Sequence, residues 1–225
     1  MFNTFANRKT DSDAKRGNEY QLYQLCTSLQ INLKNSSVVT LVGHYSGLKR
    51  HYELYKPFFK HIYVAERCPI AAAKLQRQAR RLSIANKVTI IFGDFFDVVK
   101  DLQEKGIKIG CLDFDGVEQI GKNEDELTKW ARKMSIPILV YVGSSRGQSA
   151  QFREWCKKKG KRKTLNHYHQ LRYELKRLGP EYMKEKARGY STYFRTYKGV
   201  TNMFECVMVE KQFKNNLLEV YSEKN

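Results

Sequence analysis

Apolar residues in this chain gather into short unbroken runs, each followed by a longer stretch whose apolar positions recur at helical spacing. The runs are Val38-Val39-Thr40-Leu41-Val42, Ile62-Tyr63-Val64-Ala65, Val88-Thr89-Ile90-Ile91-Phe92, Ile107 to Leu112, and Pro137 to Val142. They are rich in β-branched residues and lack the alternation of a half-exposed strand. Such runs mark strands buried on both faces, as in a parallel sheet. Between them the spacing predicts helices over 48–60, 69–82, 95–105 and 124–134. Pro69 opens the second and Gly106 closes the third. A helix over 19–33 precedes the first run, carried by Leu22, Leu25, Cys26 and Leu29. Strands alternating with helices imply right-handed crossovers. The expected class is therefore α/β: a doubly wound, mostly parallel sheet with helices on both faces.

The pattern changes beyond Gly143. Residues 150–159 and 165–178 read as helices, the second ended by Gly179-Pro180. Strand-like runs at 192–197 and 203–209 flank Lys198-Gly199-Val200-Thr201-Asn202, a connector that predicts a C-terminal antiparallel β-hairpin. The organisation expected is a polar, frayed N-terminus over 1–17 and one domain over 18–211. That domain carries a basic helical insertion over 146–190, and a tail follows over 212–225.

Charge sharpens this picture. The chain has 41 Lys and Arg against 23 Asp and Glu, a net +18. Residues 1–145 hold 22 cations against 15 acids, and residues 146–225 hold 19 against 8, so the excess is concentrated in the second part. So large an excess is self-repelling unless a polyanion neutralises it, and nucleic acid is the commonest one. A merely soluble basic surface is the plain alternative. Membrane-surface binding lacks a strongly amphipathic basic helix to support it. No stretch reaches the ~18 apolar residues of a membrane span, and the N-terminus lacks the apolar centre of a signal peptide. Five cysteines lie far apart with no C-x-x-C pair, which disfavours a zinc site or disulfide framework and points to reduced thiols. The expected location is intracellular, cytoplasmic or nuclear, with no metal.

Candidate chemistry lies at the ends of the predicted strands. Gly43-His44-Tyr45-Ser46-Gly47 follows the first. It matches neither G-x-G-x-x-G nor a Walker A loop, yet two glycines four apart let the backbone approach a ligand closely. Glu66 ends the second strand, where a carboxylate can accept from both hydroxyls of a ribose, and Arg67 adjoins it. Gly93-Asp94-Phe95 follows the third strand, placing an acid and an aromatic ring where an adenine could sit. Asp113 ends the predicted fourth strand, followed by Phe114.

Taken in order, V-T-L-V-G-x-x-x-G, I-Y-V-A-E, I-F-G-D-F and C-L-D-F-D-G resemble the successive sheet-edge motifs of class I S-adenosylmethionine-dependent methyltransferases. The resemblance covers about residues 35–145 and, through the terminal hairpin, 190–211. It implies S-adenosylmethionine as cofactor, held by Gly43, His44, Gly47, Glu66, Arg67, Asp94, Phe95 and Asp113. By the same resemblance Asp113 faces the methyl group and orients or deprotonates the nucleophile, and Phe114 or Tyr141 stacks on a target base. The fourth motif is not the Asp-Pro-Pro-Tyr of many amino methyltransferases, and the fifth strand lacks the lysine of ribose methyltransferases, so no target atom is implied.

Two alternatives stand beside it. One is a methyltransferase fold that has lost catalysis and binds nucleic acid. The other is a haloacid-dehalogenase-like phosphatase, because Asp113-Phe114-Asp115-Gly116 also looks like that family's nucleophile motif. No aspartate follows Asp125, however, where the phosphatases need acids for magnesium. The nucleic-acid expectation falls on Lys157, Lys158, Lys159, Lys161, Arg162 and Lys163, with Tyr168, Arg172 and Tyr173 beyond them. Cations interleaved with aromatics suit phosphates plus stacked bases: RNA, a single strand, or a flipped base of DNA.

Overall fold

The structure is a computed structural model that describes residues 27, 33–42, 47–115, 120–144, 150–160, 168–198 and 202–213. At 144, 168–174, 195, 197, 198, 202 and 213 it describes the backbone alone. The expected helix over 19–33, the frayed segment 1–17 and nearly all of the tail lie outside the described residues.

The strands are β1 (Ser37–Leu41), β2 (His61–Glu66), β3 (Val88–Phe92), β4 (Ile109–Asp115), β5 (Ile138–Ser144), β6 (Tyr190–Lys198) and β7 (Asn202–Glu210). The helices are α1 (Gly47–Tyr55), α2 (Pro69–Arg81), α3 (Phe95–Glu104), α4 (Glu124–Lys133), α5 (Ala150–Lys158) and α6 (Tyr168–Lys186). One seven-stranded sheet runs in the order β3-β2-β1-β4-β5-β7-β6. Strands β1 to β5 pair in parallel, while β7 is antiparallel to both β5 and β6. The doubly wound sheet with a C-terminal hairpin is thus as expected.

Burial on both sides explains the apolar runs of β1, β4 and β5, whereas the edge strand β3, expected to be buried on both faces, exposes Thr89 and Phe92. Val38, Val42, Val64, Ile90, Cys111, Val140 and Val207 face one core with Leu48 and Tyr55 of α1 and Leu75 of α2. Their neighbours Val39, Ala65, Leu112, Leu139, Tyr141 and Cys206 face a second core with Val99, Leu127, Phe152 and Tyr182. Helices α5 and α6 belong to that second layer. Trp155 Nε1 donates to Glu185 Oε2 (3.0 Å), and Lys186 Nζ meets Asp125 Oδ2 (2.7 Å). These two helices are therefore packed onto the sheet. No helix among the described residues is long and apolar enough to cross a membrane.

Three boundaries differ most from expectation. Helix α1 ends at Tyr55 although the spacing predicts a helix over 48–60, because Pro57 disfavours helical backbone at the residue before it. β4 starts two residues later than predicted and runs on to Asp115, because pairing with β1 as far as Asp113 and with β5 as far as Asp115 carries its backbone through two polar positions. Helix α6 does not stop at Gly179-Pro180 but continues through Pro180 to Lys186. Proline within a helix removes one hydrogen bond and crowds the preceding turn, a cost of about 3 kcal/mol. The buried residues Leu175, Leu178, Tyr182 and Met183 on both sides of Pro180 offset it. Gly179 marks a close contact rather than a helix end: a Cβ there would lie 2.3 Å from Phe194 Cζ and 2.6 Å from Cε1.

Helix propensity and packing therefore predict opposite signs for Gly179→Ala. Propensity alone would stabilise by about 1 kcal/mol. The collision with Phe194 predicts a net loss of about 1–3 kcal/mol, as for overpacked cores. Urea unfolding decides the sign, and Phe194→Leu in the same chain should recover part of the loss.

Candidate active site

In a doubly wound sheet ligands bind beyond the carboxyl ends of the strands, where the strand order reverses. Here that point lies between β1 and β4. Glu66 is the last residue of β2 and pairs in register with Phe92, the last of β3. Its Oε1 accepts from the Cys68 amide (2.8 Å). The Gly93 N–H donates to the Glu66 carbonyl (3.1 Å), which holds the start of the β3–α3 connection against β2. Asp94 caps α3, its Oδ1 accepting from the Phe96 amide (3.0 Å), and its Oδ2 lies 3.9 Å from Arg67 Nη1. The Arg67–Asp94 pair is exposed and worth little in stability. Glu66 and Asp94 are both half-buried. Beside them stand the two large apolar side chains most exposed among the described residues, Ile70 at 66% and Phe92 at 61%.

Below this edge lies a buried polar cluster. Thr40 on β1 and Asp113 on β4 are register partners, and the Thr40 hydroxyl donates to Asp113 Oδ2 (2.8 Å). The Tyr55 hydroxyl donates to the same oxygen (2.8 Å). His51 Nδ1 is 3.1 Å from Thr40 Oγ1 and 3.5 Å from Asp113 Oδ2. Because Thr40 uses its proton on Asp113, His51 Nδ1 is the donor in its contact with Thr40, which sets the tautomer of the ring. Asp113 is 3% exposed. Burial, with the nearby charge of Asp115, pushes its pKa up to about 7, although the Tyr55 and Thr40 bonds pull the other way. Next along the edge, the buried Glu124 carboxylate accepts from the Gly121 and Asn123 amides and so fixes the turn that enters α4.

Several solved structures share this architecture. An O-methyltransferase from Bacillus cereus in complex with SAH aligns over 90% of this chain and 84% of its own, at TM-score 0.54 and 16% identity. Cofactor-bound Rv0187 from MTB aligns over 91% and 83%, at TM-score 0.56 and 14% identity. The O-methyltransferase TomG from Streptomyces achromogenes, in complex with SAM, aligns over 90% and 83%, at TM-score 0.55 and 15% identity. The fold is that of the class I methyltransferases. No family model matches the chain, and no curated protein matches it in sequence.

Within the class I methyltransferase fold, the expected site residues do not all meet in one place. Glu66, Arg67 and Asp94 come together at the carboxyl edge. Gly43 and His44 lie outside the described residues, as do Lys161, Arg162 and Lys163 and the side chains of Tyr168, Arg172 and Tyr173. Gly47 is buried, and a Cβ on it would lie 2.9 Å from Val42 Cγ1, so packing of α1 on the end of β1 already requires glycine there. Lys157, Lys158 and Lys159 are exposed on α5 and just beyond it. Lys158 pairs with Glu154 and Lys159 with Glu185, each at 3.0 Å.

The aromatic rings and Asp113 are placed differently from expectation. Phe95 is 2% exposed and Phe114 7%, and the two rings pack edge to face at 5.1 Å. Phe96 stacks on Phe114 at 5.7 Å, and Tyr141, fully buried, lies 5.9 Å away. These rings build the core under the edge, and a base could reach Phe114 or Tyr141 only by displacing a neighbour. Asp113 does not end its strand. The acid at the strand end is Asp115, half-buried and on the same face. The phosphatase alternative fails here, because its nucleophile would be the buried Asp113, on the fourth strand. Sequence reasoning missed Thr40, His51 and Tyr55. Their signal was a threonine inside an apolar strand, and a histidine and tyrosine four apart on the apolar stripe of α1.

The cluster predicts a pH dependence. In the folded chain Asp113 holds its proton up to about pH 7, against an ordinary value of 3.8. Between those values the folded state binds more protons than the unfolded one, so stability falls as pH rises, by at most ~1.4 kcal/mol per unit. Asp113→Asn keeps an acceptor for Thr40 and Tyr55 and carries no charge. Thermal unfolding from pH 5 to 8 should show a shallower decline for this variant than for the wild type. Parallel profiles would remove Asp113 as the titrating group.

Proposed function

We propose that the protein is an S-adenosylmethionine-dependent methyltransferase acting on nucleic acid. The observation that carries this reading is the pair of half-buried carboxylates, Glu66 and Asp94, at adjacent strand ends beside exposed Ile70 and Phe92. Such a set fits a nucleoside. A ribose diol offers donors to a carboxylate, an exocyclic amine offers one to a second, and an apolar ring finds apolar side chains. Among the described residues Glu66 has one carboxylate oxygen on the Cys68 amide, and the other is assigned to the ligand. Gly43 and His44 stand in the segment joining β1 to α1 and are assigned to the same site. Solved neighbours that carry SAH or SAM support the choice of cofactor. When bound, the cofactor supplies a methyl group activated by its sulfonium.

The rest is the work of this chain's residues. Asp115, at the end of β4, orients the incoming nucleophile or accepts its proton. Asp113 acts from beneath: its bonds to Thr40 and Tyr55 tie the end of β4 to β1 and α1. The net charge of +18 supports a polyanionic acceptor. Lys157, Lys158 and Lys159, with Lys161, Arg162 and Lys163, are assigned to its phosphates, and Tyr168, Arg172 and Tyr173 to its bases or backbone. The sequestration of Asp113 favours one second reading, in which the same fold holds the cofactor and nucleic acid without transfer.

The test is to incubate the full chain with methyl-labelled S-adenosylmethionine and pooled RNA or DNA. Label should enter the nucleic acid, and Asp115→Asn should slow transfer about 10²-fold or more, the range of a positioned acid or base. Cofactor binding with no label transferred would favour the second reading.

A further inference from the structure

The opposite edge of the sheet carries a feature that methyl transfer does not use. β2, β3 and β4 are each entered directly from an exposed lysine: Lys60, Lys87 and Lys108. The sheet's own hydrogen bonds fix all three. The Lys60 amide donates to the Ser36 carbonyl (2.8 Å), the Ile62 amide to the Lys87 carbonyl (2.9 Å), and the Ser37 amide to the Lys108 carbonyl (2.8 Å). The strand order β3-β2-β1-β4 therefore sets Lys87, Lys60 and Lys108 in a line, with backbones spaced by about 4.8 Å per strand. No ion pair engages any of the three among the described residues.

Further cations crowd this edge. Arg80 and Arg81 end α2, and Lys105 follows α3. These three sit at helix C-termini, where the helix dipole alone favours positive charge. Lys60, Lys87 and Lys108 have no such explanation. The nearby acid Glu104 lies 4.0 Å from Lys100. His61 reports the local potential: burial first, then Lys87 and Lys60, push its pKa down. Next to Lys108 the edge is concave. A groove of about 390 Å³ runs between Ser36, Lys108, Gly110, Met134 and Ser135.

We propose that this amino-terminal edge is a second docking surface, fitted to the phosphodiester backbone of a folded nucleic acid. A row of cations on rigid strand starts beside a groove matches a regular line of phosphates. A lipid surface is a poorer match. The exposed apolar side chains Ile70 and Phe92 lie at the other edge, leaving no apolar anchor here for a bilayer. Strands of five to seven residues separate the two edges by about 20 Å, so a short oligonucleotide cannot reach both, whereas a folded RNA can.

The experiment compares the full chain with Lys60→Gln/Lys87→Gln/Lys108→Gln and with the corresponding Glu variant. Binding is measured without cofactor, so its outcome is independent of methyl transfer. The probes are a long RNA hairpin, a short single-stranded oligonucleotide and vesicles containing anionic lipid. Hairpin affinity should fall about tenfold or more in the Gln variant and further in the Glu variant. The log–log salt slope should flatten by up to about 0.9 for each lysine that contacts a phosphate. Oligonucleotide binding and thermal stability should stay near wild type. The proposal is overturned by unchanged hairpin binding, by equal loss for both RNAs, or by loss confined to vesicles.

Discussion

The pairing of β1 with β4 is the constraint on which the rest of the structure depends. It joins the two halves of the sheet at the point where strand order reverses, and its register sets Thr40 opposite Asp113. A threonine and a carboxylate in a dry interior are costly unless satisfied. Tyr55 and His51, one turn apart on α1, supply the remaining partners. The cluster therefore fixes α1 over the reversal point, and Gly47 lets the start of α1 close on Val42. The edge where Glu66, Asp94 and Asp115 stand is thus built on a polar clamp rather than on apolar packing alone. Its weak point is ionisation: the same burial that makes the clamp specific raises the pKa of Asp113 into the neutral range, so losing the proton leaves a charge in a dry site.

Charge is arranged around this sheet as deliberately as apolarity is arranged within it. The carboxyl edge carries Glu66, Asp94 and Asp115 in a protein of net charge +18. Arg67 stands among them, but among the described residues many more cations lie on α5 and α6 over one face, on α2 over the other, and along the amino edge. An acidic edge within a basic surface suits a nucleoside-like ligand held at the centre of a polyanion footprint, because long-range attraction gathers the polymer while local carboxylates select hydroxyl and amine donors. The basic helices are anchored through Trp155, Tyr182 and the Glu185 and Asp125 contacts, so the backbone that carries their cations is held in place.

Much of the fold was legible because five strands are apolar on both faces and the helices between them are amphipathic. The acids at strand ends, Glu66 and Asp94, were legible for the same reason: a strand that ends cleanly locates its edge. β4 was misread because Asp113 and Asp115 interrupt its apolar run, and a strand buried between two others tolerates what an isolated pattern does not. Gly179-Pro180 was misread as a stop because the ring of Phe194, which requires the glycine, is 15 residues further along the chain. Thr40, His51 and Tyr55 were invisible because each is ordinary by itself. Their meaning comes from one oxygen of Asp113, 73 residues from Thr40 and 58 from Tyr55. The roles given to Phe95 and Phe114 followed from their places in the motifs, and only the packing shows that their rings belong to the core.

The account turns on whether the carboxyl edge holds a nucleoside cofactor through Glu66. Isothermal titration calorimetry of S-adenosylmethionine into the full chain tests this most directly, with Glu66→Ala alongside and circular dichroism to confirm that the variant folds. The account predicts saturable 1:1 binding to the wild type. It predicts a loss of about 1.5–3 kcal/mol for each charge-assisted hydrogen bond removed in the variant. Absence of binding to the wild type, or equal affinity in a folded Glu66→Ala protein, would contradict it.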